Sequence, residues 1–207
     1  MFQKSLKAIK RIIRRMAKSI LSKKNMIMRP DGASRQGLLD LISYLNASHS
    51  LTMAEIGSYK GESAEIFLST GKVSKIYCVD PWKQYYDDDD GAAFTDMVKV
   101  EADFDARHGG DSRVVKVKGT IETLVELISN TGVRLDVVYV DGCHTYEAVK
   151  HDIKVAMECL KPSMAIAGHD YAVGSSMWEG VVRAIEETIG KPSATFSDTS
   201  WVKMLCK

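Results

Sequence analysis

Residues 51–82 read LTMAEIGSYKGESAEIFLSTGKVSKIYCVDPW. Leu51–Ile56 is predicted as a short buried strand that runs into Gly57. Gly57 and Gly61 then bracket a tight turn, and Glu62–Ser69 continues at helical spacing through Ala64, Phe67 and Leu68. A second strand over residues 75–79 closes on Asp80. Strand, glycine turn, helix, strand and acid form the nucleotide-binding half of a doubly wound sheet. Glycines let the backbone approach a ligand, and the helix start offers unpaired N–H groups. Asp80, at the carboxyl end of its strand, is placed to accept hydrogen bonds from both hydroxyls of a ribose.

The spacing narrows the ligand. A dinucleotide site needs G-x-G-x-x-G so that a pyrophosphate can rest on the helix N-terminus. Here there is one G-x-x-x-G, its turn carries Tyr59, and Glu55 lies just before it. A carboxylate there would repel a pyrophosphate and attract the amino group of an amino-acid moiety. E-I-G-S-Y-x-G followed by V-D-P-W resembles the first motif and following acid of class I S-adenosylmethionine-dependent methyltransferases. That resemblance implies S-adenosylmethionine as cofactor. Its contacts would be Glu55, Gly57, Ser58, Tyr59, Gly61 and Ser63 on the first turn, then Asp80, Pro81 and Trp82, then Thr120, Ile121 and Asp141.

Outward from this stretch, residues 34–45 are predicted as a cover helix, and 94–106 as a helix ending at His108-Gly109-Gly110. A third strand over 113–117 leads to Gly119 and to a helix over 121–129 with Thr120 as N-cap. Leu135–Val140 reads as an apolar run broken only by Asp136, as expected of a parallel strand covered on both faces. A helix over 147–160, a turn at Lys161-Pro162-Ser163, a strand over 164–167 and a helix over 178–189 follow. Two short strands, 195–196 and 201–206, end the chain. The expected fold is α/β: a doubly wound, mostly parallel seven-stranded sheet with helices on both faces. The terminal hairpin is typical of class I methyltransferases and implies the order 3-2-1-4-5-7-6.

Ligands of open α/β sheets lie beyond the carboxyl ends of the strands. Asp141, His144, His169 and Asp170 converge there as candidate catalytic groups. V-D-G-C-H-T-Y-E-A-V-K-x-D (140–152) and L-K-P-x-x-x-x-A-G-H-D-Y (160–171) resemble the small-molecule and glycan methyltransferases, including macrolide, aminocoumarin and cephalosporin-type O-methyltransferases. The resemblance covers about residues 35–207. It implies methyl transfer to a hydroxyl of a small molecule or glycan, a sugar being favoured. In those relatives an acid after strand four and two neighbouring groups after strand five hold a divalent metal, which falls on Asp141, His169 and Asp170. This chain departs by carrying His169 where an acid is usual, Cys143 where an acid is common, and Ser163-Met164 in place of Gly-Gly. Mg²⁺ prefers oxygen ligands, so His144 or His169, with unperturbed pKa values near ~6.5, is the alternative as base.

The net charge of +1 hides an asymmetry. Residues 1–30 hold ten Lys and Arg and no acid, which leaves 18 basic against 27 acidic residues beyond, a net of −9. Phe2, Leu6, Ile9, Ile13, Met16 and Ile20 form one apolar helical stripe in this arm. It suits an anionic membrane surface, a body or partner-subunit interface giving a homo-oligomer, or nucleic acid. With residues 25–32 as linker, the chain divides into an arm, 1–30, and a catalytic domain, 31–207. No apolar run is long enough to span a membrane. The four cysteines form no C-x-x-C pair and read as reduced thiols of a cytoplasmic protein, peripheral at the inner membrane surface where the arm binds lipid. Tyr85, Tyr86 and the four aspartates of 87–90 read as a solvated loop or an active-site rim.

No Asn/Asp-Pro-Pro-aromatic block is present, since all four prolines are isolated, which disfavours a base-methylating enzyme despite the basic arm. The missing third glycine and the terminal hairpin disfavour a nicotinamide oxidoreductase. Two histidines and two aspartates at the cleft disfavour a non-catalytic nucleotide-binding module.

Overall fold

Strand β1 (Leu51–Ile56) lies inside a seven-stranded sheet, flanked on both sides by parallel strands, β2 (Val73–Asp80) and β4 (Leu135–Val140). With β3 (Val114–Lys118), β5 (Leu160–Gly168), β6 (Ala194–Thr195) and β7 (Trp201–Met204) the order is β3-β2-β1-β4-β5-β7-β6. Only β7 runs antiparallel to its neighbours β5 and β6. Fold and strand order are those expected. The computed structural model describes residues 33–83 and 95–205, so expectations for the arm 1–30, for Tyr85, Tyr86 and residues 87–90, and for Cys206 lie outside the described residues.

Alternation along the strands divides the core in two. Met53, Ile76, Val137, Tyr139 and Val202 face α1 (Ala33–Leu45), α2 (Glu62–Ser69) and α3 (Met97–His108). Ala54, Val79, Val138, Val140 and Ile166 face α4 (Ile121–Thr131), α5 (Tyr146–Cys159) and α6 (Glu179–Ile189). Both faces of the central strands are covered, which is why they read as apolar runs.

Element boundaries moved modestly, with one larger exception. Residues 160–163, expected as helix end and turn, open β5, whose first residue pairs with Leu135. Helix α3 starts at Met97 because Asp96 caps it, accepting from Val98 N–H at 3.1 Å. Thr120 caps α4 as expected. Asp136, at the opposite end of β4 from the loop of Asp141, is fully buried but accepts from Lys161 Nζ at 2.8 Å and Thr52 N–H at 2.8 Å. The described cysteines, Cys78, Cys143 and Cys159, are free thiols. Among the described residues no helix is long and apolar enough to cross a membrane.

Candidate active site

The register sets the loop-bearing ends of the strands side by side. Ile56 pairs with Val79 and Val140, and Val140 with Gly168. Backbone bonds then latch each loop to the neighbouring strand: Asp141 N–H to Ile56 O at 2.8 Å, His169 N–H to Val140 O at 3.1 Å, Gly119 N–H to Asp80 O at 3.0 Å. The order reverses between β1 and β4, where open α/β sheets bind their ligands.

The first turn requires its glycines. Gly57 has φ +90, and a Cβ on it would stand 2.1 Å from Asp141 O. Gly61, at φ +75, lies against His108, whose Nε2 is 2.8 Å from Gly61 O. Between them Tyr59 is left-handed at φ 48, and Trp82 is left-handed at φ 41. Asp80 holds both: Oδ2 accepts from Tyr59 N–H at 2.9 Å and Oδ1 from Trp82 N–H at 2.7 Å. Trp82 Nε1–H closes the unit by donating to Tyr59 O at 2.8 Å. Strain of this kind persists only where the surroundings over-determine it.

Asp80 is only 2% exposed. Burial raises its pKa against the two backbone bonds that lower it. Each oxygen takes one N–H and keeps a second acceptor position. Pro81 is half-buried beside it.

Other expected cofactor residues sit deeper. Glu55 is fully buried, with the Ser63 hydroxyl donating to it, and Ser58 is buried with its hydroxyl on Glu55 O at 3.4 Å. Ile121 belongs to the core. Thr120 is exposed, but its hydroxyl donates to Glu122.

The second cluster joins the loops after β4 and β5. Asp170, left-handed at φ 63, stands with Oδ2 3.0 Å from His144 Nε2 and Oδ1 2.9 Å from His169 Nδ1. Asp141 Oδ1 lies 3.9 Å from each of those nitrogens. Burial opposes ionisation of Asp170, yet the bonds from His144 and His169 outweigh it and hold the carboxyl well below the usual range. Ligand atoms of Asp141, His144 and Asp170 all lie within 4.8 Å of one another. Of the expected metal set Asp141, His169 and Asp170, the two aspartates are in this group and His144 takes the third place. His169 stands beside it, on Asp170.

Three neighbours of the cluster escaped the sequence. Trp178, the residue capping α6, packs its ring 5.0 Å from that of His144. Thr199, left-handed at φ 70, brings Oγ1 3.5 Å from His169 Nε2, with Asp198 Oδ2 4.0 Å from the same nitrogen. None of the three stands in a motif that could have announced it.

Residues 54–171 match the family model described as a methyltransferase domain. The chain belongs to this family. It is a class I S-adenosylmethionine-dependent methyltransferase, which removes the oxidoreductase and the non-catalytic nucleotide-binding module. A search of curated proteins finds no match to its sequence. Among solved structures it is similar to a calicheamicin methyltransferase, with 15% identity, 93% of this chain and 91% of the other covered, and a TM-score of 0.60. TomG of Streptomyces achromogenes, an O-methyltransferase of tomaymycin synthesis in complex with S-adenosylmethionine, gives 13%, 94%, 89% and 0.59. An O-methyltransferase from Bacillus cereus in complex with S-adenosylhomocysteine gives 13%, 93%, 97% and 0.51. At these identities the likeness is one of fold, and it extends over nearly the whole methyltransferase.

Proposed function

We propose that this methyltransferase acts on a hydroxyl oxygen of a small molecule or glycan, with a sugar hydroxyl favoured. The observation that carries this is the cluster of Asp141, His144 and Asp170, with His169 beside it, at the strand ends next to the glycine turn. A hydroxyl is a poor nucleophile near neutral pH, so its proton must be taken or its pKa lowered. The calicheamicin enzyme is a TDP-rhamnose 3'-O-methyltransferase, which supports a sugar acceptor.

Bound S-adenosylmethionine supplies the electrophilic methyl. Asp80 has one acceptor position left on each oxygen for the ribose hydroxyls, and the Gly57–Gly61 turn brings backbone close to the ligand. Asp141, His144, His169 and Asp170 handle the acceptor. Transfer is an in-line displacement, so holding the nucleophile in line is a large part of the catalysis. With Nε2 of His144 on Asp170, a proton taken up by that ring stays beside a carboxylate. The donor set fits a divalent cation: two carboxylates and an imidazole within 4.8 Å. Asp141, His144 and Asp170 would hold it, and it would supply Lewis-acid charge that lowers the acceptor hydroxyl's pKa. One nitrogen among the donors favours Mn²⁺ or Fe²⁺ over Mg²⁺.

The test is transfer of labelled methyl from S-adenosylmethionine to nucleotide sugars, glycans, phenols and RNA, comparing the native chain with Asp170→Asn. Labelling of a sugar that the variant abolishes is expected. Labelling of RNA alone would overturn the proposal. Residues 1–24 would bring the enzyme to anionic lipid, each basic side chain contributing on the order of 1 kcal/mol. Sedimentation of the full chain with anionic vesicles at low salt, lost on deleting 1–24, is expected. No vesicle binding, with a changed oligomeric state on deletion, would assign the arm to a protein interface.

A further inference from the structure

The turn between β6 and β7 turns a carboxylate inward. Phe196 N–H donates to Ser200 O at 2.8 Å and Thr199 N–H to Phe196 O at 3.1 Å, with Thr199 in the left-handed region. This folds Asp198 under the turn, 9% exposed. Its Oδ1 accepts from Ser200 N–H at 3.0 Å and its Oδ2 from the Ser200 hydroxyl at 2.9 Å. The same hydroxyl lies 3.0 Å from Tyr139 OH, and Ser200 and Tyr139 are fully buried. Helix α1 leaves a slot for the carboxylate at Gly37, where a Cβ would stand 2.0 Å from Asp198 Oδ1.

Burying a carboxylate is costly, and an aspartate that only shaped the turn could bond Ser200 N–H from the surface. What burial adds here is His169. Asp198 Oδ2 and Thr199 Oγ1 stand behind the ring, 4.0 Å and 3.5 Å from Nε2. Asp170 Oδ1 stands in front, 2.9 Å from Nδ1. The backbone of His169 is pinned as well, by Trp201 Nε1–H donating to its carbonyl at 3.1 Å.

We propose that Asp198 is a positioning residue of the active site, held by Ser200, Tyr139 and the Gly37 slot, which fixes the His169 ring so that Nδ1 presents to Asp170. Asp170 in turn sits on His144, so the β6–β7 turn sets the geometry of the acceptor side. The importance of that side rests on the methyltransferase chemistry proposed above; the orientation of the ring does not.

The test uses long-range ¹H–¹⁵N correlation spectra of the full chain, labelled at its five histidines, at one fixed pH with S-adenosylhomocysteine present. Asp198→Asn keeps the size of the side chain and an acceptor for Ser200 N–H. Gly37→Ala displaces the carboxylate without removing it. Both are expected to move the ring signals of His169, with His144 following, while those of His49 and His151 stay. Affinity for S-adenosylhomocysteine is expected to stay within about twofold. Unchanged His169 signals in Asp198→Asn would overturn the proposal. A shift shared by His49 and His151 would assign Asp198 to the fold alone and overturn it equally. Absence of S-adenosylhomocysteine binding by the native chain would contradict the cofactor assignment instead, and the ring signals would still decide the role of Asp198.

Discussion

Gly57 approaches Asp141 so closely that a Cβ on Gly57 would stand 2.1 Å from the Asp141 carbonyl oxygen. The turn assigned above to the cofactor and the loop assigned to the acceptor therefore share one backbone contact. Neither can shift alone, because Asp141 N–H is also bonded to Ile56 O at 2.8 Å.

Gly57→Ala is expected to be severe. It adds backbone overlap to a φ of +90 that L side chains avoid. Overpacking and strain together should cost on the order of 2–4 kcal/mol. Denaturant unfolding should show that loss, and calorimetry should show loss of S-adenosylhomocysteine binding.

Asp80 has a structural role in its contacts and a cofactor role in the proposed function. Its carboxylate holds Tyr59 and Trp82 in left-handed conformations and faces the expected ribose site. Asp80→Asn removes charge and one of two backbone acceptors; bonds to charged groups contribute about 1.5–3 kcal/mol. Affinity for S-adenosylhomocysteine should fall about tenfold or more, and thermal unfolding should come earlier. Unchanged affinity would displace the cofactor from this strand end.

Asp170 sits between two imidazoles, so Asp170→Asn should disable the acceptor side and spare cofactor binding. Calorimetric titration with Mn²⁺ is expected to show one site in the native chain and none in the variant. Methyl transfer should be lost in excess chelator and return with Mn²⁺. Full activity in chelator would leave the imidazole pair as the proton acceptor.

Asp152, on α5, works in the opposite sense to Asp170. Burial raises its pKa from 3.8 to about 6, Glu122 adding to the shift and His151 opposing it. A folded-state pKa above the unfolded one means stability present below about pH 3.8 and lost as pH rises through about 6. Asp152→Asn should therefore stabilise the chain at pH 8 by on the order of 1–2 kcal/mol and leave it unchanged near pH 4. Denaturant melts at the two pH values check the difference.

Much of this was legible because β1, β2 and β4 are short, largely apolar segments that give way to Gly57, Asp80 and Asp141, residue types that mark a ligand-facing strand end. The terminal hairpin was legible from the few residues separating its strands. Residues 160–163 were not, because Pro162 and a polar neighbour mark a turn by composition, yet Leu160 extends a parallel strand against Leu135. Asp198 and Thr199 were not, because they lie in a short turn about thirty residues beyond His169 and reach it only through the antiparallel pairing of β7 with β5. The burial of Asp80 also escaped, since it depends on the backbone of Tyr59 and Trp82 rather than on residue type.

The most direct test is a crystal structure of the chain with S-adenosylhomocysteine. The expected result has ribose hydroxyls on Asp80, the amino-acid portion along the Gly57–Gly61 turn, and the sulfur facing Asp141, His144 and Asp170. Ligand bound elsewhere, or with its sulfur turned away from that cluster, would contradict the assignment of these residues to methyl transfer.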